Sequence, residues 1–126
     1  MKKFRFEEMK RGWFIGDFEP TALKTKDFEV GVGHHEKGEV WDKHYHKLAT
    51  EITLILDGKV QMNDEIFVTG DIFVIDKNEV VAPVFLEETK YVVIKTISDK
   101  NIIKFKHRFT KNEDLTLLCT LSGRHR

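Results

Sequence analysis

Hydrophobic and polar residues alternate in many short runs along this chain, and turn residues separate the runs. An alternation with a period of two is typical of β-strands, whereas helices repeat every three to four residues. One such run spans residues 27–35, where the apolar face begins at Phe28 and ends at His34. We predict that this face points inward. The interior glycines, Gly31 and Gly33, predict the close approach of another backbone or a ligand.

Further strands are predicted downstream of this run. Residues 52–56 are apolar and rich in β-branched side chains, which predicts a strand buried on both faces. Asp57-Gly58 follows directly and predicts a hairpin turn into the next strand. Turns also separate five more short runs, at residues 59–62, 66–68, 72–75, 80–86 and 91–98. Short strands at close and even spacing predict an all-β domain, either a closed barrel or a double-sheet jelly roll.

The chain divides into two predicted units. Residues 1–98 carry the barrel strands, and residues 99–126 contain two further alternating runs that predict an additional C-terminal β-hairpin. This terminal segment carries seven Lys and Arg against three Asp and Glu. An amphipathic strand at the end of a jelly roll extends a sheet or pairs with a second subunit through its free edge. We therefore predict that it packs on the barrel or on the partner in a homodimer.

Composition narrows the class of protein. The 126 residues suffice for one domain with a core. The 21 Lys and Arg balance the 21 Asp and Glu, so no global charge favours nucleic acid or a membrane surface, and neither is predicted as a partner. The longest apolar runs fall far short of the roughly 20 residues of a membrane helix. A single cysteine, Cys119, fits the reducing cytoplasm, which is the predicted location.

The candidate chemistry is concentrated in residues 38–58. His44 and His46 are two residues apart, so both side chains leave the same face of a strand. Glu51 opens the next apolar run. If the two strands are close in one barrel, two imidazoles and a carboxylate converge, and these groups suit a divalent first-row metal. The alternative is a metal-free polar pocket in which the three groups hydrogen-bond to one another.

This stretch resembles the first sequence signature of the cupin superfamily. The signature is Gly, five residues, His-any-His, four residues, Glu, six residues and Gly. Its fixed positions are matched, with the right gaps, by Gly38, His44, His46, Glu51 and Gly58. The resemblance covers about residues 28–97. It implies a single-domain cupin-like jelly-roll barrel that binds a small molecule.

The second cupin signature is degenerate in this chain. It begins at Gly70, and Asn78 stands where a turn glycine is usual; Asn can also adopt the left-handed conformation. The fourth metal ligand, normally His, is Val81, and the terminal Asn is Phe85. The ligand candidates that remain are His44, His46 and Glu51, with an inward His34 as a replacement for the missing one.

Three functions stay open. The first is a small-molecule-binding cupin of carbohydrate or nucleotide-sugar metabolism, with one divalent transition metal (Mn, Fe, Ni or Zn) or none. The pathway is implied by the similarity of residues 11–20 and the His-any-His motif to small cupins of such pathways. The second is a metal-free sugar isomerase or epimerase, and the third is a non-enzymatic ligand-binding regulatory barrel.

The isomerase hypothesis assigns roles to three residues. His44 or His46 would remove a proton next to a carbonyl, which suits histidine near neutral pH. Lys95, in the apolar run 91–98, would hold the sugar if it points into the barrel, because a buried lysine needs a partner. An outward, solvated Lys95 is the alternative.

Overall fold

The computed structural model describes residues 1–99, 102–106 and 116–120, and the regular secondary structure in these ranges is almost entirely β-strand. One 3₁₀ turn, Phe6–Glu8, precedes the strands. The strands are β1 Trp13–Ile15, β2 Glu29–His35, β3 His44–Tyr45, β4 Glu51–Asp57, β5 Lys59–Met62, β6 Glu65–Val68, β7 Ile72–Ile75, β8 Pro83–Phe85, β9 Thr89–Lys95, β10 Ile102–Lys106 and β11 Thr116–Thr120. The predicted all-β class is therefore confirmed. No helix within these ranges is long and apolar enough to cross a membrane.

The strands form two antiparallel layers. One layer is a five-stranded sheet in the order β1-β2-β9-β4-β7. The other contains two three-stranded sheets, β6-β5-β8 and β11-β10-β3. Backbone bridges from His44 to Val81 and from Val40 to Val84 connect these two sheets. Two antiparallel sheets that enclose one core form a jelly roll, as predicted.

The core lies between the layers and is built by strict alternation. On β9, Tyr91 and Val93 are buried while Lys90 and Ile94 are exposed. Burying a large apolar side chain stabilises a fold by about 1.5–3 kcal/mol, so this alternation fixes which face of each strand points inward. The core cluster consists of Trp13, Ile55, Val60, Phe73, Ile75, Val81, Phe85, Tyr91 and Val93.

The predicted orientation of β2 is wrong. Its buried face carries Glu29 and His35, whereas Val30 and Val32 are half-buried and His34 is exposed. The reason lies in the pairing with β9, which places Glu29 opposite Lys95 on the inner face. A buried charge has to be compensated, and this long-range requirement outweighs the local preference of valine for the interior.

The two glycines of β2 make room for aromatic side chains. A Cβ atom at Gly31 would lie 2.8 Å from Cε3 of Trp13, and one at Gly33 would lie 2.1 Å from Cζ of Tyr91. Trp13 and Tyr91 therefore pack directly on the β2 backbone. The predicted close approach is confirmed: it comes from these two side chains and, at Gly31, also from the Gly12 backbone oxygen, 3.1 Å from the Cβ position.

Two predictions around β4 are also wrong. Its alternate face is not buried, since Ile52 and Leu54 are half-buried and Leu56 is 47% exposed. Asp57-Gly58 does not form a hairpin, because β4 pairs with β7 and β9 while β5 pairs with β6 and β8. The turn instead carries the chain from one sheet to the other. Local sequence does not distinguish these two uses of a tight turn.

The C-terminal strands extend the second layer. β10 pairs with β3, where Ile103 lies opposite Tyr45, and with β11, where Ile103 lies opposite Cys119. Residues 100–101, 107–115 and 121–126 lie outside the described ranges. The assignment of residues 99–126 as a separate hairpin extension and its role in a homodimer stay predictions.

Gly33→Ala is expected to destabilise the fold by about 1–3 kcal/mol, because the added methyl group overlaps the Tyr91 ring. Urea unfolding followed by tryptophan fluorescence measures the loss. Val32→Ala, on the outward face of the same strand, is the control and is expected to cost less than about 1 kcal/mol. Equal losses for the two variants would contradict the packing of Tyr91 against Gly33.

Candidate functional site

A layer of buried charges crosses the inner face of the five-stranded sheet. The strand register places Glu29, Lys95 and Glu51 side by side, and all three side chains are buried. Lys95 Nζ donates a hydrogen bond to the Asp99 carbonyl oxygen at 2.6 Å and lies 3.7 Å from Glu29 Oε1. Ser98 Oγ donates to Glu29 Oε2 at 2.8 Å. Of the two orientations left open by the sequence, Lys95 adopts the inward one.

The two motif histidines and the motif glutamate lie together inside the barrel. His44 and His46 are both buried, with ring centroids 5.8 Å apart and perpendicular planes. His46 Nε2 lies 3.7 Å from Glu51 Oε1. The backbone holds the segment in place, because His44 and Val81 exchange hydrogen bonds and the Asn78 amide donates to the His46 carbonyl oxygen. Asn78 has a φ of 68°, so the predicted left-handed turn is confirmed.

The tautomer of His44 follows from its backbone contact. Its Nδ1 lies 2.9 Å from the carbonyl oxygen of Asp42, which can only accept a hydrogen bond. Nδ1 therefore carries the proton. The neutral imidazole then has its lone pair on Nε2, the atom that can act as a base or as a ligand.

His44, His46 and Glu51 do not form a compact set of metal ligands in this structure. Among the residues that the structure describes, only one group of His, Cys, Asp or Glu brings three ligand atoms within 4.8 Å of one another. That group is the exposed trio of His34, Glu36 and Glu88. The buried Val81 supplies no fourth ligand. Metal binding at His44, His46 and Glu51 stays a prediction, and we derive no chemical step from it.

His34 lies outside the barrel, so the expected inward replacement ligand is wrong. It is exposed, and its Nε2 lies 2.7 Å from Glu88 Oε2. Glu36 completes the exposed trio. Water solvates exposed carboxylates, so they do not need an ion to balance their charge. We therefore assign no ion to this group.

A small cavity lies between the sheets beside the motif residues. The volume of this cavity is about 30 Å³. Its polar lining residues include His44, Glu51 and Thr53, and Trp41 and Tyr91 contribute aromatic walls. The remaining lining residues are Ile55, Val60, Met62, Phe73, Ile75, Val81, Pro83 and Phe85. Of the three predicted catalytic residues, His44 borders this cavity, whereas His46 and Lys95 are not among its lining residues.

A wider cavity shares part of this wall. The volume of this wider cavity is about 350 Å³. The residues common to both cavities are Met62, Phe73, Ile75 and Val81. The charged residues that line the wider cavity are Asp64, Glu65 and Glu79, so its lining is acidic.

His35 is a site residue that sequence reasoning missed. It is buried, its Nδ1 lies 2.6 Å from Glu39 Oε2, and its Nε2 lies 3.0 Å from the Tyr91 hydroxyl. Its ring stacks on Phe85 with centroids 4.4 Å apart and meets the edge of Trp41 at 5.0 Å. Gly31 and Gly33 lie on the same face of β2 as His35, and large side chains pack on both glycines. These glycines could therefore have identified this face, and with it His35, as the buried one.

The carboxylate of Glu39 is held in its ionised form. Burial raises the pKa of Glu39, but hydrogen bonds from Trp41, His35 and the Glu36 amide and the charge of His35 outweigh this effect. The net result is a pKa below the ordinary value of 4.5. A carboxylate that accepts several hydrogen bonds is stabilised in this way.

No protein-family model matches the chain, and no curated protein matches it in sequence. Solved structures do match. An uncharacterised conserved protein from Klebsiella pneumoniae with a double-stranded β-helix domain is 19% identical with a TM-score of 0.58, over 64% of this chain and 72% of that one. A Ralstonia eutropha protein of unknown function with a cupin-like fold is 9% identical with a TM-score of 0.58, over 85% and 62%.

This chain has the cupin fold. The cupin barrel is also found in a recombinant oxalate oxidase in complex with glycolate, which is 19% identical with a TM-score of 0.51, over 60% of this chain and 45% of that one. The fold implied by the signature at residues 38–58 is therefore confirmed. At this level of identity the similarity of the cupin structures concerns the fold alone.

Lys95→Met is expected to destabilise this cupin barrel by about 3–5 kcal/mol, because it removes the buried ammonium group that lies 3.7 Å from the buried Glu29 carboxylate and leaves that carboxylate without it. Urea unfolding measures the loss. Lys90→Met removes an exposed lysine from the same strand and is the matched control, with an expected change within about 0.5 kcal/mol. Equal changes would show that Lys95 does not compensate buried charge.

Glu39→Gln is expected to lower the melting temperature at pH 7 and to matter less in acid. The lowered pKa of Glu39 means that its stabilisation is present above the unfolded-state value near 4.5 and is lost as the pH falls through the folded-state value. Calorimetry of the wild-type protein and the Glu39→Gln variant between pH 7 and pH 3 measures the difference in melting temperature. A difference that stays constant down to pH 3 would contradict a role for the ionised carboxylate.

Proposed function

We propose that this cupin binds a small, neutral, polyhydroxylated molecule, such as a monosaccharide, and acts in carbohydrate metabolism. The observation that supports this proposal is the inner cavity, where His44 and Glu51 face a largely apolar and aromatic wall. Small-molecule sites are typically apolar clefts in which a few polar groups fix the orientation of the ligand.

The lining suits the two kinds of surface that a sugar presents. The Glu51 carboxylate and the Nε2 lone pair of His44 accept hydrogen bonds from hydroxyl groups. The rings of Trp41 and Tyr91, which line the cavity, offer apolar surface to the C–H groups of a pyranose ring. A purely apolar ligand would leave Glu51 buried without a polar partner from the ligand, which is unfavourable.

Charge favours a neutral sugar over a nucleotide sugar. The wider cavity, through which we propose the ligand enters, is lined by the carboxylates of Asp64, Glu65 and Glu79. A diphosphate would meet like charge there, and such juxtaposition costs affinity. Of the two pathway classes implied by the sequence resemblance, the geometry therefore supports carbohydrate over nucleotide-sugar metabolism.

Entry of a sugar requires a local movement of the shared wall. The inner volume of about 30 Å³ holds roughly two water molecules and no more. Met62 borders both cavities, and its unbranched side chain can change rotamer at low cost. We propose that the ligand displaces Met62 and occupies the junction of the two cavities.

Isomerase or epimerase chemistry is a second candidate, and the tautomer of His44 favours it. With Nδ1 donating to the Asp42 carbonyl oxygen, Nε2 is the basic atom and can accept a proton from the carbon next to a carbonyl group. His46 contacts Glu51, and Lys95 pairs with Glu51 in the strand register, so both residues position Glu51 from the side away from the cavity. A regulatory barrel without catalysis remains the alternative if ligands bind but do not react.

The proposal is tested by calorimetric titration of neutral monosaccharides and of UDP-glucose. We expect a neutral sugar to bind and UDP-glucose to bind at least about tenfold more weakly, a difference of about 1.4 kcal/mol. Glu51→Gln and His44→Gln should each abolish binding, and a chelator should leave it unchanged. Glu36→Gln, on the exposed surface, is the control.

Two results would contradict this version. One is the absence of binding for every neutral sugar tested. The other is elemental analysis that finds one Mn, Fe, Ni or Zn ion per chain, together with loss of that ion in His44→Gln and Glu51→Gln, which would establish the predicted metal site instead.

A further inference from the structure

We propose that Tyr91 is a reactive hydroxyl at the wall of the inner cavity, with His35 as its general base and Glu39 as the group that orients His35. Trp41 is a neighbour of both histidines, since its ring centroid lies 5.0 Å from that of His35 and 6.2 Å from that of His44. The use of Tyr91 on a metabolite depends on the proposed small-molecule site. Its reactivity does not.

The direction of these hydrogen bonds follows from the protonation state of His35, and the proposal concerns the neutral imidazole, in which one ring nitrogen accepts. The Glu39 carboxylate can only accept, and its Oε2 receives the Trp41 Nε1 proton at 3.0 Å and faces His35 Nδ1 at 2.6 Å. His35 Nδ1 therefore carries its proton. In the neutral imidazole the lone pair is on Nε2, 3.0 Å from the Tyr91 oxygen, so the Tyr91 hydroxyl donates to it.

Surrounding groups keep the geometry in place. Phe85 stacks on one side of the His35 ring, and Trp41 meets it edge-on. Gly33 leaves the space that the Tyr91 ring and hydroxyl occupy, because a Cβ atom there would lie 2.4 Å from the hydroxyl oxygen. A nucleophile in hydrogen-bond contact with a base that a third group orients is the arrangement of activated hydroxyls in covalent and acid–base catalysis.

The arrangement goes beyond a satisfied core histidine for one reason. Tyr91 belongs to this network and is also a lining residue of the cavity that His44 and Glu51 border. Two potential proton-transfer groups, His44 and Tyr91, therefore border one cavity. That is the requirement for moving a proton between neighbouring positions of one bound molecule.

The proton balance is complete within these residues. When the Tyr91 oxygen takes a proton from a bound hydroxyl- or carbonyl-bearing molecule, its own proton passes to His35 Nε2. The imidazolium that forms is next to the Glu39 carboxylate, which stabilises it. Reversal of both transfers returns a proton to the ligand, so no oxidant or reductant is required.

Acetylation by N-acetylimidazole tests the proposal, because the chain contains only two tyrosines, Tyr45 and Tyr91. In this reaction the tyrosine oxygen bonds to the acetyl carbon and imidazole leaves, taking the proton that the base had accepted. Tyr45 is half-buried and Tyr91 is buried, so exposure alone would favour Tyr45. We expect Tyr91 to react at least about tenfold faster, as measured by mass spectrometry of proteolytic peptides.

Variants separate activation from packing. Glu39→Gln and His35→Phe should each slow the acetylation of Tyr91 at least about tenfold and leave Tyr45 unchanged. His35→Phe retains a ring between Phe85 and Trp41, and Glu39→Gln retains the shape of the side chain if the first variant does not fold. Glu88→Gln is the matched control, because Glu88 is the partner of the exposed His34, and it should leave both rates unchanged.

Three outcomes would overturn the proposal: a Tyr91 that reacts no faster than Tyr45, a Tyr91 that does not react, or a Tyr91 rate that Glu39→Gln does not change. Sugar binding without Tyr91 reactivity would overturn the activated tyrosine alone. Tyr91 reactivity without sugar binding would overturn the proposed ligand alone.

Discussion

The pairing of Lys95 with Glu29 and Glu51 across the inner sheet is the constraint on which the rest of the site depends. A shift of one residue in any of these strands would turn every side chain to the other face. It would also leave buried charges without compensation, which is far more costly than exposing a valine. The charged layer therefore fixes the register of β2, β9 and β4 together, and with it the positions of Glu51, Tyr91 and His35.

The same constraint explains what the sequence could and could not predict. The spacing of His44, His46 and Glu51 predicted their convergence, because the motif spans only a few residues and depends on local alternation around β3 and the start of β4. The orientation of β2 was not predictable from its own residues, since the partner that draws Glu29 inward is Lys95, 66 positions further along the chain. A strand with apolar residues on one face and two glycines on the other is ambiguous until its neighbours are known.

The turn at Asp57-Gly58 failed as a prediction for a related reason. A tight turn between two strands forms a hairpin only if both strands join the same sheet, and the jelly roll places β4 and β5 in different layers. Gly58 is required because a Cβ atom there would lie 2.4 Å from Thr89 Oγ1, and Thr89 Oγ1 accepts the Lys59 amide. The turn residues thus encode a contact with β9, which only the tertiary structure shows.

The degenerate half of the cupin pattern and the His35 cluster have a common physical origin. Val81, at the position of the fourth ligand, is buried in the core and its backbone pairs with His44. Phe85, at the position of the terminal Asn, stacks on the buried His35. A polar side chain at either place would need a partner in an apolar wall. Val81 therefore removes a potential ligand, whereas Phe85 supplies aromatic support for His35 and Tyr91.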